Sequence, residues 1–299
     1  FYRINEDCSV DLADVEAKLT NRTRVLLIVH YFGFPQDVVA LRAFCDSRGL
    51  YLLEDCAHAY FGSFAGEPPG SFGDFACASP MKFFPTYDGG CLISSRRPMN
   101  GTRLSSGGWA FEAKSLLNAL ERSFEHRRLS PMRLVMGAPM RVKDKVWRKL
   151  KSPEKELAPV ASDGGHGFNA HWVGKRMSIP SQFILRFASR ARIVTKRRAN
   201  YGVLLDALSA VTGARPLFLE LPRGVVPYVF PLLVHDPEVI VPALKRAGVP
   251  IFRWDHLGSV AEVCRVSHRY SQHVLQLPCH QELSVGELEW MVRTIRALV

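Results

Sequence analysis

The sequence predicts an α/β protein, with a large domain on a mainly parallel sheet and a smaller C-terminal α/β domain. Three observations predict it. Residues 24–55 read as strand, helix and strand, the length of a βαβ unit with its right-handed crossover. A second series of helix and strand signals begins near Pro180. Finally, 47% hydrophobic residues over 299 positions suit two packed cores and exclude a disordered chain, a coiled coil and a collagen-like repeat. The expected division is 1–105 for the large domain, 106–172 for a basic helical insertion or bridge, and 173–299 for the small domain.

Each element has a local reason. Arg24 to His30 is a short apolar, β-branched run, the mark of a strand buried on both faces. Pro35-Gln36-Asp37 opens a helix through Val38, Leu41, Phe44 and Cys45, and Gly49 stops it. Leu50 to Leu53 is the next strand and ends in Glu54-Asp55. Ligands in such sheets gather at the carboxyl ends of strands, which is where Asp55 falls. Beyond the insertion, a single long helix is expected from about Pro180 to Ala210. Val225 to Val234 reads as a strand, with Pro227 and Pro231 arguing for an edge position. Asp236-Pro237 caps a helix running to Gly248, and Val249 to Trp254 is a further strand. Ser284-Val285-Gly286-Glu287 forms a capping box for the last helix, whose apolar stripe is Leu288, Met291, Val292, Ile295 and Leu298.

The net charge of +11 is local. Residues 122–155 hold eleven Lys/Arg against Glu125, Asp144 and Glu154. Val142, Val146 and Leu150 beside Trp147 suit a basic amphipathic helix, which could lie on a membrane surface or pack on its own domain. A second cluster, Arg186 to Arg198, has six basic residues and no acid. No finger, helix-turn-helix or RNA-binding aromatic motif accompanies either, so nucleic acid is not an expected partner. The seven cysteines are an odd number at wide spacings without a Cys-x-x-Cys pair, which speaks against a zinc module or a disulfide framework and for a reduced, cytoplasmic protein. No apolar run is long enough to cross a membrane.

The residues that carry chemistry lie close together. They are Glu54-Asp55-Cys56-Ala57-His58-Ala59, Gly70-Ser71-Phe72-Gly73-Asp74, Ser79-Pro80-Met81-Lys82 and Asp88-Gly89-Gly90. Lys82 is flanked by Met81, Phe83, Phe84 and Pro85. An amine among apolar groups loses solvation of its charged form and becomes a nucleophile, as a Schiff-base lysine requires. Asp55 at a strand end could hold a pyridinium nitrogen protonated. Each residue also has a plainer role: Lys82 snorkelling to solvent, Asp55 capping its own turn, His58 satisfied in a core, Cys56-x-His58 as half of a metal site without its second pair.

Together these segments resemble the DegT/StrS-type pyridoxal 5'-phosphate (PLP)-dependent sugar aminotransferases. The matching pieces are Ile28-Val29-His30-Tyr31-Phe32-Gly33, the Glu54–Ala59, Gly70–Asp74 and Ser79–Lys82 segments, Arg197-Arg198-Ala199-Asn200-Tyr201 and Leu277-Pro278-Cys279-His280. The resemblance implies fold-type I of the PLP transferases, with the N-terminal part of the large domain missing before Phe1. It implies that Lys82 carries the cofactor, Asp55 pairs with its ring nitrogen, His58 lies beside its ring and Ser79 contacts its phosphate. It further implies a homodimer that moves an amino group from an amino acid (Glu or Gln) to a nucleotide-linked keto-sugar. The family's asparagine before Tyr-Arg-Met-Ser, which can reach the neighbouring subunit's cofactor phosphate, is replaced here in Gly174-Lys175-Arg176-Met177-Ser178, leaving Lys175 or Arg176 to supply charge there. The alternative is a catalytically silent relative that docks on a membrane or regulates through its basic insertion.

Overall fold

The computed structural model describes residues 1–99, 103–125, 170–253 and 264–299. Most of the basic stretch 122–155, and Trp254 of the expected strand, lie outside the described residues. Two four-stranded sheets organise the rest.

The first sheet has strands β1 (Val25–Val29), β2 (Tyr51–Asp55), β3 (Phe75–Ala78) and β4 (Cys91–Ile93) in sequential order. The first three are parallel and β4 is antiparallel. Helix α1 (Leu12–Lys18) precedes β1, and α2 (Val38–Ser47) links β1 to β2. Asp37 caps α2 as its sequence predicts, accepting from the Ala40 N–H. Val15, Val38, Leu41 and Cys45 of the helices pack on Leu26, Ile28 and Leu52. The expectation that β1 is buried on both faces is corrected. Val25 and Leu27 are 48% and 45% exposed, because both helices lie against the face that Leu26 and Ile28 present. Period-two alternation puts their neighbours on the other side.

Helix α3 (Trp109–Glu125) follows β4 and packs against α4 (Ile179–Phe187), which is followed by α5 (Arg190–Leu208). The single helix expected from 180 to 210 is therefore two. Ala188 is extended, and Ser189 starts a new helix by accepting from the Arg192 N–H. A serine cap breaks the helical run here without any Gly or Pro at the junction.

The second sheet is antiparallel, with β5 (Ala214–Pro216), β6 (Val229–Val234), β8 (Val274–Pro278) and β7 (Phe252–Arg253) in that spatial order. Helices α6 (Pro237–Arg246), α7 (Arg265–His273) and α8 (Val285–Leu298) complete this region. Strand β6 is central, not at the edge, and all six of its residues are buried. Pro227 lies ahead of the strand. Pro231 is tolerated inside it because its carbonyl accepts from the Leu217 N–H, one residue past the end of β5. Only the reciprocal donation is lost there, beyond the last ladder pair. Asp236 caps α6 and the Ser284–Glu287 box caps α8, both as predicted. Leu288, Met291 and Ile295 of the α8 stripe are buried, whereas Leu298 is partly exposed.

Each region has its own core, and the turn after β1 reaches into that of the second. Phe32 and Phe34, from the turn after β1, pack among Tyr201, Val229 and Leu277, and the Tyr228 N–H donates to the Phe32 carbonyl. Gly33 lets the chains meet: its φ is +100°, and a Cβ would lie 2.6 Å from the Val226 carbonyl oxygen. Among the described residues no helix is long and apolar enough to cross a membrane.

Candidate active site

The expected site residues all lie at or beyond the carboxyl ends of β2 and β3. Asp55 is the last residue of β2, and His58 follows in the turn. Ser79 follows β3 directly, and Lys82 closes the short 3-10 turn 80–82. A parallel sheet brings successive strand ends to one edge, so residues far apart in sequence come to the same edge.

That edge is built on a buried polar knot. Glu54 is fully buried, and its carboxylate accepts from His30 Nε2 at 3.0 Å and from the backbone N–H groups of Gly70, Phe72 and Gly73. His30 Nδ1 accepts from the Gln36 N–H, so its proton sits on Nε2 and points at Glu54. Burial alone raises the carboxyl pKa of Glu54. The His30 and glycine hydrogen bonds outweigh it and leave the group below the usual carboxylate range. His30, Glu54 and Cys56 lie close enough together to suggest a metal site, but both His30 nitrogens are engaged and burial pushes the Cys56 thiol strongly up. The cluster is a structural knot that shapes the loop 70–73.

Ser79 and Lys82 line a cleft of about 500 Å³ together with Arg197, Tyr228, Gln276 and His280. One wall thus comes from the first sheet and the other from α5 and the second sheet. The Lys82 Nζ stands 5.4 Å from the centroid of the Tyr228 ring. His58 is not on the cleft wall; it lies behind Tyr228, stacked on it at 4.6 Å with the ring planes 28° apart. Its Nδ1 accepts from the Phe32 N–H at 3.3 Å. Burial, with the Lys82 ammonium nearby, pushes the His58 pKa down to about 3, so the ring is neutral at ordinary pH.

Asp55 does not line the cleft either. Its Oδ1 accepts from the Ala57 N–H at 2.8 Å, capping the turn that carries His58. Lys175 and Arg176 do not line this chain's own cleft: Lys175 Nζ donates to Ser105 Oγ, and the Arg176 N–H donates to the Ser105 carbonyl.

Tyr228, Arg197 and Gln281 are the site residues that sequence reasoning missed. Arg197 stood in a matching motif without a role, inside a basic cluster that reads as a solvated face. In the fold its guanidinium is buried and points at the site. Sequence offers one signal, its position in α5 four residues before the fully buried Tyr201.

The donor set fits pyridoxal phosphate in kind. An amine and a hydroxyl open on a cleft large enough for a phosphorylated pyridine, and a carboxylate sits at the adjacent strand end.

Comparison with known proteins bears on the family and the fold. Residues 3–100 match the DegT/DnrJ/EryC1/StrS aminotransferase family. A GDP-perosamine synthase of Escherichia coli O157:H7 is 32% identical over 97 residues, covering 32% of this chain and 27% of that protein. A dTDP-4-dehydro-2,3,6-trideoxy-D-glucose 4-aminotransferase of Saccharopolyspora spinosa is 41% identical over 97 residues, 29% of this chain and 25% of that protein. These matches therefore span about a quarter of the relatives' length. Solved structures extend the likeness to the whole chain. The aminotransferase TlmJ from Streptoalloteichus hindustanus superposes with a TM-score of 0.62 at 21% identity, over 99% of this chain and 72% of its own. AtS13 from Actinomadura melliaura gives 0.63 at 21%, over 99% and 73%. At this identity the likeness establishes the fold, that of the fold-type I PLP transferases.

Proposed function

We propose that this chain, which belongs through residues 3–100 to the DegT/DnrJ/EryC1/StrS aminotransferase family, is a PLP-dependent sugar aminotransferase. The observation that carries the reading is the Lys82 amine on the wall of the cleft between the two regions, inside the matched segment. The sugar relatives support a nucleotide-linked keto-sugar as amino acceptor, and glutamate or glutamine is the donor we favour. A homodimer is the assembly we favour.

When bound, PLP supplies an electron sink for the carbon that loses its proton. The chain's own residues do the rest. Lys82 would hold the cofactor through its amine, and its Nζ would serve as general acid and base for the proton that is moved. Asp55, the carboxylate at the adjacent end of β2, would be the group to hold the proton of the pyridine nitrogen. Ser79 donates its hydroxyl to phosphate. His58 stays neutral behind Tyr228 and serves as an uncharged stacking surface. Arg197 and Tyr228 would line the wall opposite the Lys82 turn.

The test is amino transfer by the full chain supplied with PLP, glutamate or glutamine, and a panel of nucleotide-linked 3- and 4-keto-sugars. Transfer to at least one sugar, lost on Lys82→Ala, is expected. Transfer to none, or an unimpaired Lys82→Ala, would remove the reading.

A further inference from the structure

We propose that Arg197 is a positioning residue that fixes both the backbone of Lys82 and the platform on which its amine rests. The role of Lys82 itself rests on the aminotransferase reading above.

Arg197 is 2% exposed, and burial lowers its pKa from the ordinary guanidinium value. Among the described residues no carboxylate pairs with it. Burying a charge without a counter-ion is costly, and it persists only where hydrogen bonds to the charge offset the lost hydration. Four donations do so. Nη2 donates to the Lys82 carbonyl at 2.9 Å, Nη1 to the carbonyls of Tyr228 at 2.8 Å and Pro227 at 3.2 Å, and Nε to Gln281 Oε1 at 3.0 Å. The guanidinium also lies 4.5 Å from the centroid of the Phe83 ring. Gln281 extends the tether, since its Nε2 donates to the Phe83 carbonyl at 2.9 Å.

The directions of these bonds matter more than their number. A planar fork reaches carbonyls of two separate chain segments at once, which a lysine ammonium or a neutral amide cannot do. One segment is the 3-10 turn that carries Lys82. The other is the approach to β6 that carries Tyr228, whose ring faces both the Lys82 amine and the His58 imidazole. A single guanidinium thus sets the amine's anchor and its platform together. A 3-10 turn of three residues has few hydrogen bonds of its own, so an outside tether decides how firmly it is held.

The experiment uses the full chain as Arg197→Met, Arg197→Lys and, independently, Gln281→Leu. Hydrogen exchange is followed at Phe83 and Phe84, with the β6 amides as reference. Reductive trapping of PLP at Lys82 is timed in the same proteins. The proposal expects exchange at 83–84 to accelerate at least ~10-fold in Arg197→Met and Gln281→Leu while β6 keeps native protection. Trapping at Lys82 should slow by a similar factor, and Arg197→Lys should restore little. Native exchange at 83–84 in both variants overturns the proposal, and so does acceleration spread equally over β6, which marks a merely structural role. If Arg197→Met does not fold, the Gln281→Leu result decides. Should the unaltered chain trap no PLP at Lys82, the aminotransferase reading falls, and the exchange data still judge the tether. Should it trap PLP and the variants do so at the native rate, the tether falls and the reading stands.

Discussion

The two sheets of this protein are held together by different chemistry. Strand β6 of the second sheet is buried at all six positions between β5 and β8, and it packs in a mainly apolar cluster, with Gln276 of β8 opposite Pro231. The first sheet leaves Val25, Leu27 and Leu92 substantially exposed and keeps a polar knot, the Glu54 carboxylate with the His30 ring, at its carboxyl edge. The apolar sheet is a scaffold whose stability should be indifferent to pH. The first sheet places polar groups where the chemistry is expected, and its stability should depend on their protonation.

That contrast can be broken or sharpened in order of expected effect. Leu232→Ala, at a fully buried position of β6, should cost about 2–5 kcal/mol in denaturant unfolding, and the loss should be the same at pH 5 and pH 8. Glu54→Gln should cost about 2–3 kcal/mol, because an amide places donors against backbone N–H groups. Its penalty should shrink as the pH falls and the native Glu54 is itself protonated. Unequal pH behaviour of these two variants is what the comparison requires.

His58 gives a smaller effect with a definite sign. Its folded pKa is near 3 against about 6.5 for an ordinary histidine, so the folded state binds fewer protons than the unfolded one. Its contribution is fully present above pH 6.5 and is lost as the pH falls from 6.5 toward 3. Between pH 7 and 4.5 the loss should be about 2 kcal/mol, and His58→Gln should flatten that part of the stability curve. Glu54 and Asp74, both held below the usual carboxylate range, add their own loss only at lower pH. Smallest of all, Leu27→Thr on the open face of β1 should change stability by no more than about 0.5 kcal/mol. A cost of several kcal/mol there would mean that this face is covered in solution.

Legibility in the sequence followed the range of the forces involved. The caps at Asp37, Asp236 and Ser284 are contacts over three residues, so the sequence contains all of their information. The βαβ unit and the chemical segment 54–82 were readable for the same reason, since strand ends and loops lie near each other along the chain. The central place of Pro231 was not readable, because it depends on where β5 happens to end. The break at Ser189 was missed because no Gly or Pro marks it and a lone serine is a weak stop signal. At the site, the approach of Tyr228, Arg197 and Gln281 to Lys82 is tertiary. A buried arginine in a cluster of six basic residues looks, in sequence, like one more solvated charge.

Reduction of the PLP-treated full chain with borohydride, followed by peptide mass spectrometry, tests the central claim most directly. The account predicts one phosphopyridoxyl group per chain, on the peptide that contains Lys82, and a failure of Lys82→Ala to acquire it elsewhere. Label scattered over surface lysines, or a Lys82 peptide that stays unmodified, would contradict it.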